Sequence, residues 1–323
     1  MTNLTRLIAI CGCAIFVSAA ADSQFINPRF GRVLQEWEIY YRAGLQSYEQ
    51  DNFPEARQQF LKAREEAKKF GPYDPRMATI LNDLAKVYHA EGNYAEAALL
   101  YRQSLAIDEK ALGKDHRNIA GDLNNLAMAY HDLGRDAEAI PLYRRALVIV
   151  ENLFGPEHPY VIVTLKHLTQ SYLAQRKFVE AIPDYRRLLM LQENAWGPEH
   201  SEVAIVLKGL AQIYRDLNRY VEAEPLYLRI LAIDENLLGK EDSEVAEDLD
   251  RLAEVYVAQG RVAEAEPLYR RSLVIVEKVF GPEHRTVVRA LRNYAALLRK
   301  MQRGAEATEV EARAALIAAK QVQ

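Results

Sequence analysis

Residues 81–122 read LNDLAKVYHAEGNYAEAALLYRQSLAIDEKALGKDHRNIAGD, and residues 123–164 begin the same phrase again as LNNLAMAYHDLGRDAEAIPLYRRALVIVENLFGPEHPYVIVT. Further copies open at Leu165, Leu207 and Leu249, and a truncated one opens at Leu291. Residues 39–80 form a degenerate first copy, one residue out of register in its middle. A fixed period of 42 residues is the signature of a repeat architecture and outranks any local reading.

The columns of the repeat assign its elements. Leu81, Leu123, Leu165, Leu207, Leu249 and Leu291 are expected to open a helix; Leu84, Ala85 and Tyr88 follow on the same face, as do their equivalents in later copies. After a corner at Gly92, Gly134 or Gly260, a second helix carries Ala97, Tyr101 and Leu105 and their equivalents. It is expected over about residues 95–112, ~27 Å long. The alanines let paired helices approach while the tyrosines fill the gaps between them. Gly155-Pro156, Gly197-Pro198 and Gly281-Pro282 close that helix with a left-handed cap, and Pro141, Pro183, Pro225 and Pro267 fall near its start. One hairpin cannot bury both its faces, so neighbours must stack. The expected fold is all-α, a right-handed superhelical solenoid of antiparallel helical hairpins. Its seven units span 39–80, 81–122, 123–164, 165–206, 207–248, 249–290 and 291–323, after a linker or lead-in helix over 22–38.

The pattern Leu84-Ala85-Tyr88-Gly92-Tyr94-Ala97-Tyr101 resembles the tetratricopeptide repeat. The phrases LNNLAMAY, EAEPLYRRSL and FGPEHP are similar to the long-helix variant found in kinesin light chains. The chain departs from a motor adaptor in having no heptad coiled coil and in carrying an N-terminal leader. The resemblance implies that first helices line a concave groove that takes a peptide or protein segment. Transferred from the repeat pattern, the groove positions include Asn82, Asn124, Asn125, His131, Lys166, His167, Lys208, Arg215, Arg251, Arg292 and Arg299. Asn124 and Asn125 match asparagines that hold peptide backbone in similar repeats; solvated asparagines on a helix face account for them equally. Lys166, Lys208, Arg215, Arg251, Arg292 and Arg299 point to an acidic or carboxylate-bearing ligand, and a solvated charged face explains the same residues. The carboxylate clamp of chaperone-binding relatives is missing: Lys166 is followed by Gln170, and Gly209 stands where asparagine is wanted.

Composition limits the alternatives. The 323 residues hold 45 acidic and 41 basic side chains, a net charge of −4, which argues against nucleic-acid binding by bulk positive charge. Half the residues are apolar and 27% are charged, which excludes wholesale disorder. Residues 1–21, MTNLTRLIAICGCAIFVSAAA, read as a secretory signal peptide, and an exported, periplasmic or secreted product follows. An uncleaved anchor and a lipid-acceptor Cys13 are the other readings of that stretch; after cleavage no stable membrane span is expected. Both cysteines, Cys11 and Cys13, lie within it, so the remainder has no thiol for disulfides, catalysis or metal binding. His116, His158, His200 and His284 share one loop column and are expected to cap the next helix or bond the tight turn rather than ligate metal. No phosphate loop, H-E-x-x-H or G-x-S-x-G is present. The sequence thus describes a non-enzymatic scaffold for a protein or peptide, without cofactor. The alternative is a structural element of an envelope assembly that docks through its ends, suggested by the apolar run Ala314–Ala319 and by Glu311 in the tyrosine column.

Overall fold

The computed structural model describes residues 35–321; the leader lies outside them. Fourteen α-helices and one short 3-10 turn, Lys68–Phe70, account for the ordered elements among the described residues. They form two compact units, divided between Lys177 and Phe178. In the first, α1 (Glu36–Glu49) pairs with α2 (Phe53–Ala67), α3 (Pro75–Ala90) with α4 (Tyr94–Leu112), and α5 (Arg117–Asp132) with α6 (Asp136–Phe154), followed by α7 (Pro159–Ala174). In the second, α8 (Phe178–Trp196) precedes the hairpins α9 (Ser201–Asp216) with α10 (Tyr220–Leu237), α11 (Ser243–Ala258) with α12 (Val262–Phe280), and α13 (Arg285–Lys300) with α14 (Gly304–Lys320). Within each unit every hairpin packs on the next in chain order, an all-α arrangement of stacked antiparallel pairs.

The first helix of each pair starts six residues ahead of the expected leucine. The apolar stripe already includes Ile119, Val161, Val203, Val245 and Val287, all 0% exposed, and one column of capping residues sets the boundary. Asp74, His116, His158, His200, Asp242 and His284 each accept a hydrogen bond from the backbone N–H two residues on. The aspartates do so at 2.9 and 2.8 Å, the imidazole Nδ1 atoms at 3.2–3.3 Å. Three of these rings also lie on the aromatic side chain that ends the preceding helix, at centroid distances of 4.7 Å (Phe154–His158), 4.6 Å (Trp196–His200) and 5.0 Å (Phe280–His284). At the other end of the chain's helical region, α1 begins at Glu36, ahead of residue 39, because Trp37 packs against Tyr41 and Phe70.

Two more boundary details refine the expectation. Gly155 and Gly281 close their helices at φ 89°, with ψ 164° and 152°. That is not the left-handed helical region but an extended mirror region that only glycine populates. Pro141 is the sixth residue of α6, just past the turn whose N–H groups are free anyway, so it removes one helical hydrogen bond.

The core follows the columns. Ala97, Ala139, Ala181, Ala223, Ala265 and Ala307 are completely buried, and Tyr101 and Tyr143 beside them are 0% exposed. Gly209 belongs to the same packing. A Cβ there would meet the Tyr185 ring at 2.6 Å, which is why no asparagine occupies the position. On the outer side, an arginine of α6, α10, α12 and α14 reaches back to a glutamate on the second helix before it. Arg145 meets Glu109 at 2.5 Å in the first unit; in the second, Arg229 meets Glu193 at 2.5 Å, Arg313 meets Glu277 at 2.6 Å, and Arg271 binds Glu235. The same arginines donate to loop carbonyls of Lys114, Pro198 and Lys240.

The capping histidines make a testable link to pH. An imidazole accepts at Nδ1 only while that nitrogen is unprotonated. Burial holds the His158 pKa below its ordinary 6.5, so its contribution to stability is complete above that pH and is lost as pH falls through the lowered value. His158→Ala is expected to cost about 1 kcal/mol at pH 7.5 by chemical denaturation. His158→Asp, which copies Asp242, is expected to keep the cap and to lose less stability than the parent between pH 7 and 5.

Candidate binding surface

The polar face of the first helices is where the sequence places the binding residues. In the first unit it is occupied by bonds between neighbouring helices. Tyr41 on α1 donates to Asp83 on α3 at 2.6 Å. Asn82 on α3 donates to Asp122 on α5 at 2.5 Å and accepts from Asn125 at 3.3 Å. Asn124 on α5 donates to Thr164 on α7 at 3.0 Å. Asn124 and Asn125 are 8% and 5% exposed, so their amide N–H groups serve the stack; the Asn124 carbonyl is buried without a partner.

His131, Asp136 and Ser171 gather in the arrangement of a hydrolase triad but not in its geometry. Asp136 approaches His131 Nδ1 at 2.5 Å, and the Ser171 hydroxyl lies 3.4 Å from that same nitrogen. A triad needs the serine on Nε2 and the carboxylate on Nδ1. Ser171 is also 0% exposed, so no substrate reaches it. His89 pairs with Asp132 at 2.6 Å through Nε2 instead. His167 lies flat against Tyr143, with ring planes 10° apart, and burial pushes its pKa down. Lys166, beside it on α7, is half-buried.

Beneath this face lie carboxyl groups with little compensation. Burial raises the Asp108 carboxyl to about 6, and burial also raises the Asp122 carboxyl well above its ordinary value, helped by the charge of Asp108. One oxygen of each has no hydrogen-bond partner. A carboxyl whose folded pKa is raised stabilises the fold below its unfolded value and loses that contribution as pH rises towards the folded one. Asp108→Asn is therefore expected to stabilise the chain by about 1–3 kcal/mol at pH 8 and to change little at pH 4, read by denaturant titration at both.

The second unit holds most of the expected cations, and most are neutralised locally. Lys208 reaches Asp234 at 2.8 Å, Glu244 at 3.2 Å and Asp248 at 3.6 Å. Burial disfavours its ammonium, but these carboxylates outweigh that and raise its pKa. Asp248 is in turn raised to about 8 by burial and by Asp234, against the pull of Lys208. Arg215 and Arg251 share Glu254, at 2.7 and 3.4 Å, and Arg251 also meets Glu247 at 3.2 Å. Arg299 binds Glu311 at 2.5 Å. Arg292 is exposed. Two exposed arginines of the same helix, Arg285 and Arg289, escaped the sequence reading, which took groove positions from the middle of the first helix only. Their spacing with Arg292 in RTVVRALR, four and then three residues, was the available signal.

The end of the second unit is trimmed. Ala314 and Ile317 of the apolar run are buried, at 2% and 6% exposure, in a core cluster shared with α11, α12 and α13. Thr308, Glu311 and Ala315 replace the larger residues, such as Ile140, Tyr143 and Leu147, that cover a following helix elsewhere; Leu316 alone stays broadly exposed, at 68%. Among the described residues there is no group of three or more His, Cys, Asp or Glu placed to hold a metal ion, and no helix long and apolar enough to cross a membrane.

Paired helices with an alanine contact, glycine corners and hairpin-on-hairpin stacking define a helical repeat protein. The family model for the tetratricopeptide repeat matches residues 38–110, 118–194, 171–236 and 244–318, and the chain belongs to that family. Among solved structures, the chain is similar to the nearly identical TPR-like repeats of a kinesin light chain-type protein of Podosopora anserina, with 26% identity and a TM-score of 0.55 over 64% of this chain and 98% of that one. It is also similar to BtubC (BKLC) of P. vanneervenii, at 25% identity and TM-score 0.53, covering 77% of this chain and 94% of that one. A STAND protein of Pyrococcus horikoshii with a tetratricopeptide repeat sensor shares the fold, at 16% identity and TM-score 0.63 over 87% of this chain and 41% of that one. No curated protein sequence matches.

Proposed function

We propose that the chain is a non-enzymatic scaffold that holds a protein or peptide segment against the exposed face of its first helices. Its 42-residue units place it with the repeats of kinesin light chain type, and the leader over residues 1–21 directs it out of the cytoplasm, to the periplasm or beyond. One observation carries the binding reading. Each first helix buries its apolar stripe and presents a polar face, and the outward positions of that face, Gln170 in the first unit and Arg292 in the second, are open to solvent. A face of this kind recognises a chain through side-chain amides and cations rather than through a closed pocket. The ion-paired Lys208, Arg215 and Arg251 contribute less than their charge suggests, since a partner must displace carboxylates already in place.

Docking through the ends, as part of an envelope assembly, is the second reading, and the exposed Leu316 is what favours it. The trimmed neighbours of Leu316 weigh on the side of the scaffold. The test is capture of partners from an envelope extract by the mature chain and by a Gln170→Arg, Arg292→Glu variant with unchanged melting temperature. At least tenfold less partner on the variant is expected. Equal capture would sink the first-helix reading, and concentration-dependent light scattering of the mature chain would move the weight to its ends.

A further inference from the structure

Two carboxyl groups are buried in the seam where α4 packs on α5. Asp108 and Asp122 are 5% and 4% exposed, and Oδ1 of the first and Oδ2 of the second have no hydrogen-bond partner. Asp122 Oδ1 accepts from Asn82 Nδ2 at 2.5 Å and from the Ser104 hydroxyl at 3.4 Å. Three repeats further along, the same two columns hold Asp234 on α10 and Asp248 on α11. The column of Asn82 there holds Lys208, whose ammonium reaches both carboxyl groups, at 2.8 and 3.6 Å. The remaining seams within the two units put no ionisable group in these columns, which carry Val150 with Thr164, Gln192 with Val206, and Val276 with Ala290. The repeat thus builds the same buried acid pair twice, once closed by a cation of its own and once not.

We propose that the seam between α4 and α5 is a proton-operated joint, shut while the Asp108–Asp122 pair holds a proton and loosened when both carboxyl groups are ionised. The groups that face the pair leave its second charge uncompensated. From α3, Lys86 acts on Asp122, but its ammonium is bound to Asp83 at 2.7 Å, and Asp83 also accepts from Tyr41. From α4, the Tyr101 hydroxyl is fully buried, and burial keeps it neutral. From α5, Asn118 offers Asp108 an amide and no charge. Like charges in a water-poor seam repel, and parting the helices hydrates them. The sign follows from burial: both carboxyl groups are raised above the ordinary 3.8, Asp108 to about 6. Their contribution to the closed seam is complete below 3.8 and is lost as pH rises through the raised values. Between α10 and α11, Lys208 offsets one charge without a proton, and Asp248 holds its proton to about 8. The loosening reaches the polar face of the first unit, because Asn82 ties α3 to α5 through Asp122 and Asn125.

The test is amide hydrogen exchange of the mature chain at pH 6 and pH 7.5, corrected for the intrinsic exchange rate and read segment by segment. Protection over residues 105–122 is expected to fall about tenfold or more between the two, and protection over residues 231–248 by less than about threefold. Asp108→Asn with Asp122→Asn is expected to remove the pH effect, since an amide keeps the carbonyl to which Asn82 and Ser104 donate. Asn82→Lys is a second arm that leaves both carboxyl groups in place and copies Lys208; it is expected to hold the change over residues 105–122 below about threefold. Equal protection of that segment at both pH values in the parent overturns the joint, as does a full pH effect in the double asparagine variant. Equal loss over both segments, or an Asn82→Lys variant that loosens like the parent, overturns the missing cation as its cause.

Discussion

The close approach of paired helices at one alanine per hairpin governs each unit. Ala97, Ala139, Ala223 and Ala265 are completely buried, where a small side chain lets paired helices approach, and tyrosines one turn later are buried beside them. A larger residue at the crossing would separate the helices, expose Tyr101 or Tyr143, and uncouple the hairpin from the next. Gly209 shows the same economy at a second contact, where absence of a side chain makes room for Tyr185.

Given that spacing, the polar face of the first helices has two uses that compete for the same atoms. Asn82, Asn124 and Asn125 spend their amide donors on the neighbouring helix, and Lys208 spends its charge on three carboxylates. These bonds fix one hairpin against the next across a surface that, in a binding protein, would otherwise be held only by apolar contacts from behind. The consequence is a face on which Asn82, Asn124, Asn125 and Lys208 serve the stack, while Gln170 in the first unit and Arg292 in the second are open to solvent.

Much of the architecture was legible because repetition turns one ambiguous pattern into several concordant ones. The alanine, tyrosine and leucine columns named most of the buried residues, and the loop histidines cap the following helices. Helix starts were less legible, since apolar periodicity marks the buried face whereas a boundary is set by a polar residue such as His158 or Asp242, whose role depends on one backbone N–H. The charges of the binding surface were the least legible. Lys208 and Arg215 look as available as Arg292 in a linear reading, because their partners Asp234 and Glu254 lie 26 and 39 residues away. The chain position of a charge does not reveal whether another helix has already cancelled it.

The arginine–glutamate contacts on the outer side carry an implication for how such a chain changes length. α10 and α12 each have both an arginine for the hairpin before and a glutamate for the hairpin after, as in Arg271 and Glu277 of α12. The last one has Arg313 but Ala319 in the glutamate column, so a hairpin appended after it would find no anchor. A copy of residues 243–284 inserted behind itself would find both. Growth or loss of units in this lineage is therefore easiest by duplication or deletion among the hairpins that carry both partners.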